Sequence, residues 1–289
     1  MSRFGPIGPI AWRELSTVVR TRSYVLLSVG LAVVFGGVIR AGGIDGGYVP
    51  TAVDLLLPLE LLVPLVAVAL GYRTFGGDND DRPVLLSYPV SKRSLVLGVF
   101  AGRLVGLAAI VGIPLGLVGI VVSRAGGPAS RVFATHGGSD SPVLFVRFLA
   151  LTICFGAVVL AMAMAASVLV RTSRAALAAA LAVLVAVVAG GDLAALAGVT
   201  TGRISDEALG TALAATPNAA YRGLVLETVV GVVADRGGAI DVAAAVAGLA
   251  GWLFGSLAVV VAGLDRRPLS GIGARLDRGL RRVIDAVDR

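Results

Sequence analysis

The residue types that carry phosphate-binding, hydrolytic or metal chemistry in other proteins are scarce in this sequence. A phosphate-binding loop needs Gly-Lys followed by Ser or Thr, but the single lysine, Lys92, lies between Ser91 and Arg93. The sequence has no G-x-S-x-G, H-E-x-x-H or C-x-x-C motif, and it contains one histidine and one cysteine. We therefore expect no catalytic site, no bound cofactor and no metal site in this chain.

Two charged residues lie inside long apolar runs and are the candidates for intramembrane chemistry. Glu60 stands between Pro58 and Pro64, and Arg103 lies nine residues after Ser94. A charge within lipid costs on the order of several kcal/mol unless it faces water or a partner. Glu60 is therefore a candidate for a translocation path or a residue of the outer interface, and the sequence favours the interface. Arg103 either extends to the cytoplasmic surface or faces a partner helix.

The apolar runs around these residues set the class of the protein. Hydrophobic residues make up 57% of the chain and charged residues 15%, whereas soluble chains carry roughly a quarter charged residues. Mean hydropathy is +0.92. The net charge of +7 does not indicate nucleic-acid binding, because the basic residues lie mostly between apolar runs. These features predict an all-α, polytopic membrane protein.

Six segments are apolar over nearly the length that a helix needs to cross a bilayer, about 20 residues. They are residues 24–39, 55–72, 95–122, 148–170, 175–191 (with an alternative end at Val199) and 242–264, within a transmembrane domain of residues 24–264. Basic residues concentrate in 1–23, 73–94 and 265–289, which predicts that both termini lie in the cytoplasm of a plasma-membrane protein. The large outer loop, 192–241, would hold two helices, one capped by Ser205 and one following Pro217-Asn218.

The terminal segments are predicted to lie at the membrane surface. Residues 1–23 are predicted to contain an interfacial helix from Ile10 to Arg22, with Glu14 on its polar side. Its apolar face would carry Ala11, Leu15, Val18 and Val19. A signal peptide is the alternative, but the region before the first apolar run is unusually long for one. Residues 265–289 form a basic amphipathic tail suited to anionic lipid.

Small residues recur at four-residue spacing in the third predicted span. Gly98, Gly102 and Gly106 would lie on one face of that helix. Such spacing lets helices approach closely in a membrane. We therefore predict a packing seam along these three glycines.

The segment from Arg73 to Ser94 is the most strongly charged stretch between the first and last apolar runs. It reads RTFGGDNDDRPVLLSYPVSKRS and lies between the second and third predicted spans. Asp81 is a suitable N-cap for a short helix, Pro89 would end it, and Ser91 would cap the next span. A short helix that two spans present to the cytoplasm is typical of a docking element rather than an active site.

With these parts assembled, the chain resembles permease subunits of type-2 ABC exporters, and most closely the branch that includes the nitrous-oxide-reductase maturation permease. Three places carry the resemblance. Arg13-Glu14 precede the first span, and Pro217-Asn218 with Tyr221-Arg222 precede the last span. Between them, acids are followed by Leu85-Leu86-Ser87, Pro89, Ser91, Arg93 and Leu97-Gly98.

The resemblance implies a permease without ATPase activity of its own, paired with a second permease copy in a homodimer. A separate cytoplasmic ATPase subunit would bind ATP and Mg²⁺ and drive export. Residues 78–93 would be the coupling helix, with Leu85, Leu86 and Tyr88 seated in a groove of the ATPase. Its coupling residues would be Asp78, Asp80, Asp81, Arg82, Leu85, Leu86, Tyr88 and Arg93.

Two other functions stay open at this point. A stand-alone secondary transporter would need charged sites near the membrane midplane, for which Glu60 and Arg103 are candidates, and usually repeated halves, which the sequence lacks. A membrane anchor or enzyme subunit is the third possibility, and the missing catalytic motifs argue against an enzyme. The cargo is not defined, because lipid-like, polypeptide and drug-like substrates all suit an apolar permease.

Overall fold

The computed structural model describes residues 7–42, 47–75, 91–125, 140–170, 172–234 and 240–265, and their regular structure is helical throughout. The helices are α1 (Ile7–Arg20), α2 (Arg22–Gly42), α3 (Tyr48–Gly71), α4 (Lys92–Arg124), α5 (Pro142–Leu169), α6 (Ser173–Thr200), α7 (Asp206–Ala214), α8 (Pro217–Val225) and α9 (Val242–Asp265). Within α6, residues Ala186–Gly190 form a π-helical turn. A second π-helical turn, Leu226–Val230, continues α8 toward a last turn at Gly231–Ala234.

Six of these helices, α2 to α6 and α9, are long and apolar enough to cross a bilayer. This confirms the predicted all-α class and the six predicted spans. Most of these helices are longer than the apolar runs from which they were predicted. Helix α5, for example, begins at Pro142 rather than at residue 148. The additional residues of α5 pack against the rest of the bundle, where Leu144 and Phe145 are buried.

Helices α3 and α5 form the centre of the bundle, and α4 packs against both. In α3 and α5, 56% of the most apolar stretch is buried within the protein, compared with 17% in α2, α6 and α9. Hydrophobic side chains at the centre are fully enclosed, among them Leu59, Leu107 and Phe155. The peripheral helices therefore present apolar surface outward, as helices in contact with lipid do.

The N-terminal helix α1 packs against α4 along its length. The glycine row makes this possible, since a Cβ at Gly98 would lie 2.8 Å from Ile10 Cβ and one at Gly102 would lie 2.4 Å from the Ala11 carbonyl oxygen. A Cβ at Gly106 would lie 2.9 Å from Val18 Cγ1. The predicted seam thus lies against α1.

Ala11 and Val18 of the predicted apolar face of α1 pack against α4, but two other assignments on this helix are wrong. Glu14 lies on the face that packs against α4, whereas Val19, assigned to the apolar face, is 62% exposed. The reason is a charge inside the neighbouring helix: Arg103 Nε donates a hydrogen bond to Glu14 Oε2 over 3.0 Å. The free energy gained by pairing the buried Arg103 with Glu14 exceeds the cost of placing a carboxylate on the packed face of α1.

Arg103 also reaches the end of α3, where its NH1 group donates to the Leu70 carbonyl oxygen. One side chain of α4 therefore contacts both α1 and the last turn of α3. Of the two alternatives for Arg103, the structure selects the partner-helix one. Because α3 leads into residues 76–90 and α4 follows them, Arg103 fastens the two flanks of the predicted docking segment to each other and to α1.

At the opposite end of α3, a carboxylate from a distant part of the chain caps the helix. Asp140 Oδ2 accepts a hydrogen bond of 2.6 Å from the Tyr48 backbone N–H, and Asp140 Oδ1 accepts one of 3.1 Å from Val49. Gly47, at φ 95°, allows the chain to turn into the helix with the carboxylate this close. The negative charge also complements the helix dipole, so the start of α3 is anchored to the segment that precedes α5.

We expect Gly102→Ala to weaken the contact between α1 and α4, because the new Cβ would meet the α1 backbone at a separation that real Cβ atoms do not adopt. Gly116→Ala in the same helix is the matched control, since a Cβ there meets nothing within 4 Å. Thermal unfolding of the purified variants in detergent should show a lower Tm for Gly102→Ala, and an unchanged or higher one for Gly116→Ala. Equal values would contradict the close approach of α1.

We expect Arg103→Gln to destabilise the protein by about 1.5–3 kcal/mol, the usual range for losing a hydrogen bond to a charged group. The side chains of Arg103 and Glu14 are only 19% and 14% exposed, so solvent screens the pair weakly. Glu14→Gln should have a similar effect, and the double variant should lose less than the sum of the two. Strictly additive losses in denaturant unfolding would show that the two side chains do not interact.

Candidate functional site

Most of the predicted coupling segment falls outside the described part of the chain. Asp78, Asp80, Asp81, Arg82, Leu85, Leu86 and Tyr88 lie within residues 76–90, which the structure does not describe. Arg93 is described and is exposed in the first turn of α4. Ser91 caps α4 as predicted, because its hydroxyl accepts a hydrogen bond from the Ser94 backbone N–H. The docking role of this segment stays a prediction.

The residues that precede this segment are also attached to the helical bundle. Phe75 is 2% exposed, and its backbone N–H donates to Ser167 Oγ over 3.2 Å. Ser167 in turn donates to the Met164 carbonyl oxygen of α5. The chain is therefore fixed to the bundle up to Phe75 and again from the cap of α4 at Ser91.

A second polar site lies where α8 enters the bundle beside α3, α5 and α6. Pro217 occupies the first turn of α8, where the missing N–H costs no intrahelical bond. The predicted apolar face is buried at Tyr221, Leu224, Val225 and Val229. The predicted outer loop thus contributes a helix to the core of the helical bundle.

Tyr221 fixes α8 against α5. Its ring stacks on Phe155 with centroids 4.7 Å apart and planes 4° from parallel, and its hydroxyl lies 2.9 Å from Thr152 Oγ1. Thr152 Oγ1 also lies 2.8 Å from the Phe148 carbonyl oxygen and donates its proton there. Tyr221 is therefore the donor to Thr152, and burial raises the pKa of its hydroxyl, so the proton is retained.

The polar side of α8 contacts Glu60 through two residues one turn apart. Asn218 Nδ2 donates to Glu60 Oε2 over 3.2 Å, and Arg222 Nε lies 3.4 Å from Glu60 Oε1. Glu60 itself is 8% exposed and lies about three helical turns inside α3 from Tyr48. Its carboxylate is therefore covered by α8 and paired inside the bundle. A role of Glu60 in a translocation path stays a prediction.

Arg222 also joins α8 to α6. Its NH2 group lies 2.7 Å from Asp192 Oδ2 and 2.9 Å from Asp192 Oδ1. Burial by itself lowers the pKa of Arg222, but the hydrogen bond to Asp192 and the charges of Glu60 and Asp192 outweigh it and raise the pKa. Arg222 therefore stays charged and is shared between two carboxylates. We call Glu60, Asp192, Asn218 and Arg222 the outer polar cluster.

Sequence reasoning singled out Glu60 and the Asn218–Arg222 stretch separately, but it neither paired them nor included Asp192. Asp192 had one usable signal, an acid at the end of an apolar run. Nothing in the local pattern links it to a guanidinium 30 residues away. The described residues contain no group of three or more His, Cys, Asp or Glu side chains arranged to hold a metal.

Comparison with known proteins places the whole arrangement in a family. Residues 9–269 match the family model described as ABC-2 family transporter protein. The chain is 30% identical over 178 residues to the probable ABC transporter permease protein NosY of Pseudomonas aeruginosa, covering 55% of this chain and 60% of that protein. It is 28% identical over 138 residues to the protein of the same name from Stutzerimonas stutzeri, covering 44% and 50%.

The chain thus spans about half to three fifths of the length of these curated relatives, whereas the family model covers nearly all of it. This match does not favour a stand-alone secondary transporter, and it suggests a membrane subunit rather than an enzyme. Together with six helices that are long and apolar enough to cross a membrane, it shows that the chain belongs to the ABC-2 family of transporter proteins.

Proposed function

We propose that this chain is the permease subunit of an ATP-driven exporter in the plasma membrane, and that a separate cytoplasmic ATPase docks on residues 78–93. The observation that carries the proposal is the anchoring of both flanks of this segment. Phe75 is fixed to α5, and Arg103 joins the end of α3, the first half of α4 and α1. Through Arg103, a force applied to the segment would therefore reach α1, α3 and α4 together.

The composition of the segment supports a protein partner. Leu85, Leu86 and Tyr88 supply an apolar centre, and Asp80, Asp81, Arg82 and Arg93 supply a polar rim, which is the usual layout of a protein–protein interface. ATP and Mg²⁺ belong to the ATPase in this proposal. The basic N-terminal and C-terminal segments would lie at the same membrane face, in contact with anionic lipid.

A second permease copy completes the proposed assembly. The outward faces of α2, α6 and α9 are apolar and weakly buried, and Leu26, Leu181 and Phe254 are exposed there. Part of this surface would contact lipid and part a second copy, as a homodimer. Two permeases would then present two docking segments to two ATPase subunits.

We expect Leu85→Asp and Leu86→Asp to abolish association with the ATPase while leaving membrane insertion intact, because a carboxylate cannot be desolvated in an apolar groove without a large penalty. Arg174→Asp is the matched control, since it places the same side chain at an exposed position at the start of α6. The proposed topology puts the connection between α5 and α6 in the cytoplasm as well. The measurement is co-purification of the ATPase with each variant. Normal co-purification of Leu85→Asp and Leu86→Asp would overturn the docking role.

The proposed orientation gives an independent test. The single natural cysteine, Cys154, is replaced by Ser, and new cysteines are introduced one at a time as Ser87→Cys and Arg203→Cys. A membrane-impermeant maleimide should label Ser87→Cys only from the cytoplasmic side and Arg203→Cys only from the outside. Labelling of Ser87→Cys from outside intact cells would refute a cytoplasmic docking segment.

A further inference from the structure

The outer polar cluster holds more acceptors than its own donors satisfy. Glu60 and Asp192 present two carboxylates to one guanidinium, that of Arg222. Each oxygen of Glu60 has one contact, to Asn218 or to Arg222, and the Arg222 contact is long at 3.4 Å. The side chain of Glu60 is only 11% exposed. A buried carboxylate with such loose pairing costs free energy in a membrane bundle unless a cation can approach it.

Asn218 adds an unsatisfied acceptor to the same place. Its Nδ2 faces the Glu60 carboxylate, because the flipped amide would bring two acceptors together. Its Oδ1 shares a carbon atom with Nδ2 and is buried, yet it accepts no hydrogen bond from any described residue. Buried polar atoms in native proteins nearly always have a partner. A group that fits beside Asn218 Oδ1 would therefore be a hydrogen-bond donor that also lies next to the Glu60 carboxylate.

Arg222 can leave Glu60 without becoming unpaired. Its contact to Asp192, at 2.7 Å, is much shorter than its contact to Glu60, and the Arg222 and Asp192 side chains are 36% and 42% exposed. A rotation of the Arg222 side chain away from Glu60 would thus keep one ion pair intact. Because Tyr221 anchors the α8 backbone through Phe155 and Thr152, Asn218 would stay in place beside Glu60.

We propose that Glu60 and Asn218 form a recognition subsite for an organic cation that donates hydrogen bonds, an ammonium or guanidinium group, and that Arg222 occupies it as an internal ligand when no cargo is bound. The Glu60 carboxylate would pair with the charge, and Asn218 Oδ1 would accept a second hydrogen bond. Asp192 holds the displaced Arg222. This proposal names the substrate class of the permease, and its role in transport rests on the function proposed above.

The test uses the full chain with its ATPase in lipid nanodiscs, and two probes of nearly the same shape. Butylguanidinium carries the charge, whereas butylurea has similar donors and no charge. Binding to the folded state should raise the Tm of the permease in a saturable way with butylguanidinium and not with butylurea. An equal response to both probes, or no response to butylguanidinium, would overturn the proposal.

Three variants separate recognition from folding. Glu60→Gln is nearly isosteric and should weaken the apparent affinity for butylguanidinium about tenfold or more, since it removes a charge-assisted hydrogen bond. Asp54→Asn removes the same charge from an exposed position of the same helix and should leave the affinity unchanged. Arg222→Ala should raise the affinity several-fold, because it removes the internal competitor. Unchanged binding in Glu60→Gln would count decisively against the subsite.

ATP turnover measured on the same samples addresses the transport role separately. Stimulation of turnover by butylguanidinium in the wild type, and its loss in Glu60→Gln, would connect the subsite to export. Binding through Glu60 without any change in turnover would keep the subsite and overturn its role in an ATP-driven cycle.

Discussion

Charges that lie among membrane-spanning helices must find partners, and this constraint sets the positions of α1 and α8, two helices that do not themselves cross. Arg103 lies within α4, and its pairing with Glu14 holds α1 along that helix. Glu60 lies within α3, and its contacts to Asn218 and Arg222 hold α8 beside it. Lipid offers no hydrogen bonds to replace these contacts, so each buried charge acts as an attachment point for a helix.

The two attachment points serve opposite faces of the bundle in the proposed orientation. At the cytoplasmic face, Arg103 joins the two helices that flank the docking segment, so ATP-driven movement would reach α1, α3 and α4 together. At the outer face, Arg222 lies over Glu60 while Asp192 holds its other side. Helix α3 carries Leu70 at one end and Glu60 midway, and it is among the most buried elements of the molecule. It would therefore be the direct physical connection between the proposed docking segment and the proposed cargo subsite.

Much of the local structure was accessible from residue types alone. Ser91 and Ser205 cap helices as predicted, because a hydroxyl just before a helix satisfies an N–H that has no other partner. Pro217 begins α8, and the predicted apolar face of that helix is buried. The assignment of α1 was less successful. Glu14 was placed on the outer, polar side, because amphipathic patterns count a carboxylate as solvent-facing and carry no information on a guanidinium in another helix.

The sequence by itself determined the class of the protein, its six spans, its helix caps and its family, because each depends on composition or on neighbours within a few residues. Only the tertiary structure decided which charges meet. Arg103 and Glu14 are 89 residues apart in the chain, and Glu60 and Asn218 are 158 apart. The apolar residues on the surfaces that bring these charges together do not indicate in the sequence which helices will pack against each other. Their pairing emerges only when close packing at sites such as Gly102 fixes how the helices approach one another.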